Sequence, residues 1–252
     1  MSLTALVLAL PPATAREREL PFSPGEKLSY KLRWGPVPVA EALFEVRAMT
    51  TVNEKSSLHF AVSGRTSSTI DVIYKIRGQA NAYANPSMSG SLLYKQDHTE
   101  RRKHRNITLT FDQTNQQVQY SKFGDKRPPI SLQAGCFDPL SLLYYVRSLD
   151  FFNQTNLKLS VTDGKKCILL RVKNSGRQTV TIASGTYDTY LLEPDTSNFG
   201  GKFKQSKNPT LQIWITADQH RIPVKVSSKV LVGSFVGELV SASGLKQNTR
   251  AP

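Results

Sequence analysis

Hydrophobic and polar residues alternate along most of the chain, which is the pattern of half-buried β-strands. In the segment 28–34, hydrophobic residues occupy every second position, with Ser29, Lys31 and Arg33 between them. Similar alternation recurs in the segments 42–48, 58–62, 157–161, 168–172, 211–215 and 224–230. Such runs amount to roughly ten to fourteen strands, mostly in antiparallel meanders. The pattern therefore predicts an all-β protein.

Clusters of turn-forming residues separate the predicted strands. They occupy 112–115, 162–165, 173–176, 183–185 and 217–220. The Asp163-Gly164 pair lies between two alternating runs, which is a strong signal for a β-hairpin.

One segment, Asp138–Leu149, follows a helical pattern instead. Asp138 is suited to the N-cap and Pro139 to the first helical position. Hydrophobic residues surround most of this helix, so we expect it to be largely buried. We predict a strongly curved antiparallel sheet, an open or spiral β-barrel, with the helix inside or across it. Six aromatic residues are expected in its core: Tyr30, Trp34, Phe44, Tyr144, Tyr145 and Trp214.

The first fifteen residues are typical of a secretory signal peptide. A short apolar run at 2–10 is followed by the Ala13-Thr14-Ala15 triplet, directly before a charged segment. The basic stretch that normally precedes the apolar run is missing, which points to a truncated start. We expect a cleaved signal peptide at 1–15, a single β-rich domain at 16–242 and a disordered tail at 243–252. The expected location is the bacterial periplasm.

The chain of 252 residues carries 33 Lys and Arg against 19 Asp and Glu, a formal net charge of +14. Because we expect the protein to be exported, we expect this positive charge to interact with anionic lipids, glycans or acidic envelope proteins and not with nucleic acid. No segment is long enough to span a membrane. The densest basic cluster is predicted to form a patch for an anionic ligand, made of Arg101, Arg102, Lys103, Arg105, Lys122, Lys126 and Arg127. A solvated face that aids solubility is the alternative explanation.

Sequence signatures of metal, nucleotide or nucleophile chemistry are missing, so we assign no catalytic residue, metal or cofactor. Cys136 and Cys167 are 31 positions apart and either form a disulfide or remain separate small hydrophobic residues. Asp218 and Arg221 lie between two predicted strands. They form either an ordinary hairpin turn or a small polar site at the rim of the sheet.

Several strings of residues, taken in order, resemble the bacterial domain of unknown function 3108 family. They include Pro21–Tyr30 with Trp34-Gly35, Asp138–Arg147, and Trp214–Asp218 with Arg221–Val224. The resemblance covers roughly residues 21–240 and implies an exported, envelope-associated β-rich protein without an assigned activity. The ending Trp-x-[ST]-x-Asp…Arg-x-Pro is also similar to the last strands of periplasmic lipoprotein carriers, whose curved sheet holds acyl chains; this is an analogy of fold.

Three functions are consistent with these observations. The leading hypothesis is a non-enzymatic, monomeric envelope protein that binds an anionic lipid or glycan in a barrel cleft with a basic rim. The second is a protein-interaction scaffold with a filled barrel. The third is a hydrolase of an envelope polymer, which requires two carboxylates to converge across a groove.

Overall fold

The computed structural model describes residues 19–151, 153–198 and 201–247. The strands are β1 Lys27–Trp34, β2 Val37–Val52, β3 Lys55–Thr66, β4 Ile76–Ala84, β5 Ser91–Glu100, β6 Lys103–Asp112, β7 Gln117–Lys122, β8 Asp125–Lys126, β9 Ile130–Ser131, β10 Asn156–Thr162, β11 Cys167–Ile182, β12 Gly185–Pro194, β13 Thr210–Thr216, β14 Pro223–Val230 and β15 Gly233–Ser243. The helices are α1 Ser68–Asp71, α2 Pro139–Arg147 and α3 Gly201–Lys204.

All fifteen strands belong to one antiparallel sheet that curls without closing. Its order is β10-β11-β12-β13-β14-β15-β1-β2-β3-β4-β5-β6-β7-β8, and β9 pairs with β7. Strands β1 and β15 are neighbours, so the two ends of the domain meet in the middle of the sheet. The prediction of an all-β, open curved barrel is confirmed. The count exceeds the predicted range because β8 and β9 have only two residues each.

The segment 130–137 bridges the two ends of the open sheet. Ile130 pairs with β7, whereas Phe137 forms a parallel bridge with Val161 of β10. The β10–β11 turn also reaches across the gap. A Cβ atom on Gly164, whose φ is +80°, would lie 2.3 Å from Leu109 Cδ2 and 2.8 Å from Tyr120 Cδ2. Glycine is therefore required for the turn to approach β6 and β7 so closely.

Helix α2 begins as the sequence predicts. The carboxylate of Asp138 accepts hydrogen bonds from the backbone N–H groups of Leu140 and Ser141, both at 2.9 Å. Its other oxygen accepts a bond from the Ser91 hydroxyl at 2.6 Å, which ties the helix to β5. Complete burial raises the pKa of Asp138, opposed by these hydrogen bonds. The helix ends at Arg147, two residues before the predicted end.

A buried ion pair holds the C-terminal end of α2. Two guanidinium nitrogens of Arg147 lie 2.5 and 2.9 Å from the two carboxylate oxygens of Glu26, and both side chains are at most 1% exposed. Arg147 also donates from Nε to the Arg221 carbonyl oxygen and from Nη2 to the His220 carbonyl oxygen. The pair thus joins the helix, the start of β1 and the β13–β14 turn at one point.

Aromatic side chains pack beneath α2. The rings of Phe60 and Tyr144 stack with centroids 4.0 Å apart, and Phe22 contacts both edge-on. Of the six aromatic residues predicted in the core, Tyr30 and Tyr144 are buried, and Phe44, Tyr145 and Trp214 pack partly buried against it.

The prediction for Trp34 is wrong, because its side chain is 50% exposed. β1 ends at this residue, so the ring lies past the core. There it stacks on Phe235 and donates its indole N–H to the carbonyl oxygen of Val232 at 2.9 Å.

The predicted turn at 173–176 is also wrong, because β11 runs through it. The pairing register with β12 shifts between Asn174 and Arg177, which marks a β-bulge at Gly176, where φ is +89°. The Asn174 amide donates to the carbonyl oxygens of Phe151 and Gln154. Turn-forming residues here bend a long strand instead of ending it.

The predicted signal peptide at 1–15 lies outside the described residues. Within the predicted tail, 243–252, Leu245 packs against the cluster around Tyr30 and Lys246 donates to the Leu20 carbonyl oxygen. Residues 248–252 lie outside the described part.

Candidate functional site

An apolar pocket of about 450 Å³ lies between helix α2 and strands β10–β13. The helix contributes one wall and alternate residues of the four strands contribute the other. The apolar residues that line it are Pro139, Leu142, Leu143, Val146, Leu159, Val161, Ile168, Leu170, Val172, Leu192, Pro194, Phe203, Leu211, Ile213 and Ile215. This is the size and the composition of pockets that hold small apolar ligands.

The polar lining of this pocket is confined to one end. Thr162, Asp163, Lys166 and Asn198 lie there, beside the β10–β11 turn and the segment after β12. The Lys166 ammonium group donates to the carbonyl oxygen of Asn198 at 2.6 Å, and Asp163 Oδ1 accepts from the turn N–H groups of Lys165 and Lys166. The pocket is therefore apolar along its length, and its polar end holds one cationic side chain, Lys166, and one carboxylate, Asp163, which accepts from the N–H groups of its own turn.

The seven residues of the predicted basic patch come together at one corner of the sheet. Arg101 and Arg102 form the β5–β6 turn, and Lys103 and Arg105 begin β6. Lys122 ends β7 opposite Ile107, followed by Lys126 in β8 and then Arg127. All seven are exposed.

The sequence did not predict that Lys165 lies beside this patch. Lys165 is on the other side of the seam, which is the gap between the two ends of the open sheet, at β7 and at β10. The Arg127 guanidinium lies 5.0 Å and the Lys165 ammonium 5.9 Å from the centroid of the same Tyr120 ring. Lys165 follows Gly164 in the turn that crosses to β7, so its place depends on the curl of the sheet. The hairpin signal at Asp163-Gly164 located the turn but not its neighbours.

Asp218 and Arg221 lie in the β13–β14 turn, which is at the opposite edge of the sheet. Asp218 Oδ1 accepts from Thr216 Oγ1 at 2.6 Å and from the N–H groups of His220 and Arg221. The Arg221 guanidinium donates to the Arg147 carbonyl oxygen at the end of α2. A hollow of about 360 Å³ adjoins this turn. The contacts are those of a structural hairpin.

Cys136 and Cys167 lie beside each other at the seam, with 3.3 Å between their Sγ atoms. No S–S bond joins them in this structure. Burial raises the pKa of Cys136 to about 12, so its thiolate is scarce at neutral pH. The Ser160 hydroxyl is 3.3 Å from the Cys167 sulfur.

We expect these two thiols to form a disulfide when the protein is exposed to oxidised glutathione. The bond would close a loop of about 31 residues and stabilise the fold by roughly 3–4 kcal/mol in the chain-entropy model. Intact mass without reduction should fall by two hydrogen atoms, and the urea midpoint should rise relative to the reduced protein. The Cys136→Ser/Cys167→Ser variant is the control, since its midpoint should not respond to oxidant. A midpoint that falls on oxidation would contradict the expectation.

A second hollow, lined by charged side chains, lies on another part of the sheet. This hollow of about 760 Å³ beside β1–β5 is lined by side chains of both charges, including Lys31, Arg65 and Asp97. Arg65 pairs there with Glu41.

In the described ranges, no three His, Cys, Asp or Glu residues converge as a metal site would require. None of the described helices is long and apolar enough to cross a membrane.

Comparison with known proteins agrees with this fold. The family model described as "Protein of unknown function (DUF3108)" matches residues 29–240. The chain is similar to the β-barrel-like protein of domain of unknown function DUF1849 from Brucella abortus, with 8% identity, a TM-score of 0.55 and coverage of 88% of this chain and 98% of that one. It is also similar to the hypothetical protein CT021 from Chlamydia trachomatis, with 8% identity, a TM-score of 0.37 and coverage of 91% and 93%.

A further similarity is to lipoprotein LppX of Mycobacterium tuberculosis, with 9% identity, a TM-score of 0.26 and coverage of 88% of each chain. No curated protein matches the chain. At these identities the first structural match bears on the fold alone.

Proposed function

Because the chain belongs to the DUF3108 family, whose description assigns no activity, we propose its function from its geometry: it is an exported, non-enzymatic envelope protein that binds the acyl chain of an anionic lipid. The apolar pocket between α2 and β10–β13 carries this proposal. The acyl chain of the lipid enters between helix α2 and the sheet, and its anionic headgroup stays at the polar end of the pocket beside Lys166. The proposed location is the periplasm.

The shape of the pocket supports a lipid over a glycan. Apolar side chains line it from Val146 and Ile215 to Phe203, whereas a sugar would need hydrogen-bonding groups along its length. Burying each methylene of an acyl chain contributes about 0.8 kcal/mol, so a chain of modest length offsets the cost of association. Lys166 supplies the charge that favours an acid over an alcohol.

The partners of the carboxylates favour binding over hydrolysis. In the hollow beside β1–β5, Glu41 pairs with Arg65 and Asp97 contacts His104. Glu26 is held in the ion pair with Arg147, and Asp138 caps α2 and accepts from Ser91. Both groups therefore have structural partners on opposite ends of the helix. The open pocket likewise favours binding over a scaffold with a filled barrel.

The test measures binding of cis-parinaric acid, a fluorescent fatty acid, to wild type and to two neighbouring variants. Ile168 lines the pocket, whereas Leu169 is on the other face of β11 and is 42% exposed. Ile168→Trp should fill the pocket and raise the Kd at least about tenfold, a loss of 1.4 kcal/mol or more. Leu169→Trp, which adds the same bulk outside, should bind like wild type.

A second experiment tests whether Lys166 binds the anionic headgroup. Lys166→Glu should weaken displacement of the probe by dodecanoic acid but leave displacement by dodecanol unchanged, with Lys158→Glu as the charge-matched control on β10. Failure of the wild type to bind the probe, or equal losses in both tryptophan variants, would refute the acyl-chain proposal.

A further inference from the structure

One edge of the curled sheet holds the most exposed large hydrophobic residues of the described part of the chain. This edge, at which β1 ends and β2 begins, is defined by the turns 35–36, 67–75, 101–102, 123–124, 163–166 and 231–232, together with the segments 195–198 and 201–209. Antiparallel pairing fixes this grouping, because each strand that ends here adjoins one that begins here. We call it the turn edge.

The five most exposed large hydrophobic side chains of the described residues all lie at the turn edge. They are Val72, Ile73, Leu231, Phe123 and Trp34, with exposed fractions of 87%, 77%, 64%, 53% and 50%. Single exposed hydrophobic residues are ordinary, but a concentration at one end of a molecule marks an interaction surface.

Basic side chains flank these hydrophobic tips. The guanidinium of Arg101 lies 5.8 Å from the Tyr74 ring centroid, and its backbone N–H donates to the carbonyl oxygen of Lys75 at 2.8 Å. In the neighbouring turn, the Lys122 ammonium lies 5.7 Å from the Phe123 ring centroid. The predicted basic patch is thus half of a mixed surface whose other half is apolar.

The basic side chains of this surface outnumber its acidic ones, and two of the acidic groups have partners within the surface. Asp71 pairs with Arg77, and Glu100 accepts from the Tyr74 hydroxyl. Across the described part of the chain, no ion pair within 4.0 Å involves Arg101, Arg102 or Lys122. The surface therefore complements a partner rich in negative charge.

We propose that the turn edge docks on the surface of a bilayer that contains anionic phospholipids. Val72, Ile73, Phe123 and Leu231 enter the boundary between headgroups and acyl chains, while Arg101, Arg102 and Lys122 contact phosphate groups. The tips are on separate turns with polar residues between them. A fluid bilayer accepts separate protrusions, whereas a folded protein partner would need a pocket for each one.

The docked orientation has a consequence for the pocket. The polar end of the pocket, with Asp163 and Lys166, lies in the β10–β11 turn of this same edge. Docking would therefore bring that end to the bilayer. The docking proposal does not depend on a lipid in the pocket, and the Ile168→Trp variant should still bind vesicles.

The test is flotation with vesicles of phosphatidylethanolamine and phosphatidylglycerol, compared with vesicles of phosphatidylcholine alone. Wild type should float with the anionic vesicles and should release as salt rises, because screening weakens the headgroup contacts. Arg101→Glu/Arg102→Glu should lower the affinity at least about tenfold. Lys55→Glu/Lys158→Glu, which makes the same charge change away from the turn edge, should retain it.

A second arm tests insertion. Val72→Ser/Ile73→Ser should also weaken binding at least about tenfold, whereas Met49→Ser, near the opposite edge, should have no effect. Trp34 is a natural reporter: in a Trp214→Phe background its emission should shift to the blue on binding, and brominated acyl chains should quench it. Thermal melting confirms that each variant is folded. Equal binding to neutral vesicles, equal loss in the charge-matched control, or no response of Trp34 would overturn the proposal.

Discussion

Replacing Arg147 by Met should destabilise the protein by about 3–5 kcal/mol, the usual cost of removing one partner from a buried ion pair. The Glu26 carboxylate would remain in the interior without its guanidinium, and the carbonyl oxygens of His220 and Arg221 would lose their donors. Domains of this size are stable by only about 5–15 kcal/mol. The loss should appear as a large fall in the midpoint of urea unfolding followed by circular dichroism.

The control separates the cost of an unpaired charge from the loss of a contact. In the Glu26→Leu/Arg147→Met variant both charges are removed, and much of the stability should return because hydrophobic residues often replace a buried pair without loss. Arg33→Met is a second control, since its pair with Glu238 is half-exposed and should contribute at most about 1 kcal/mol. A loss in Arg147→Met no larger than in Arg33→Met would contradict the expectation.

The fold is predictable from the sequence where the chain's local pattern and its tertiary contacts agree. Asp138 and Pro139 start α2 as predicted, because capping depends on neighbours along the chain. Alternation identified the strands, but it could not show that Asn174 and Gly176 bend β11 instead of ending it. The position of Trp34 likewise depends on where β1 ends relative to the core.

The sequence predicts a curved sheet with a cleft, but it does not predict which residues line the candidate pocket, because the walls of the pocket are distant in sequence. Leu143 on the helix and Ile213 on β13 line the same pocket, and no local pattern pairs them. The seven residues of the basic patch lie at one corner because the β5–β6 and β6–β7 hairpins join neighbours in sequence, and their role in binding an anion stays a prediction. The apolar residues Val72 and Ile73 of the same surface were not predicted. They lie in the turn between β3 and β4, two strands before the β5–β6 turn that carries Arg101 and Arg102.

An aromatic contact helps to hold the middle of α2 against the sheet, and this leads to the second large effect. Replacing Phe60 by Ala should destabilise the protein by about 3–5 kcal/mol, because Phe60 is fully buried and its ring stacks on Tyr144 and meets Phe22. His59→Ala is the matched control: the neighbouring ring is on the other face of β3, stacked on Tyr83, and only partly buried. Urea unfolding of both variants should show a large fall in midpoint for Phe60→Ala and a small one for His59→Ala.

The same substitution should reach the pocket, because Tyr144 and the pocket-lining Leu143 are neighbours on α2. Without the Phe60 ring the helix can settle towards the sheet or become looser, and either change alters the wall against which an acyl chain would pack. We therefore expect Phe60→Ala to weaken cis-parinaric acid binding even under conditions where the variant is folded, while vesicle binding through the turn edge stays unchanged. Unaltered probe affinity in a folded, destabilised Phe60→Ala variant would show that the helix keeps its place without this ring.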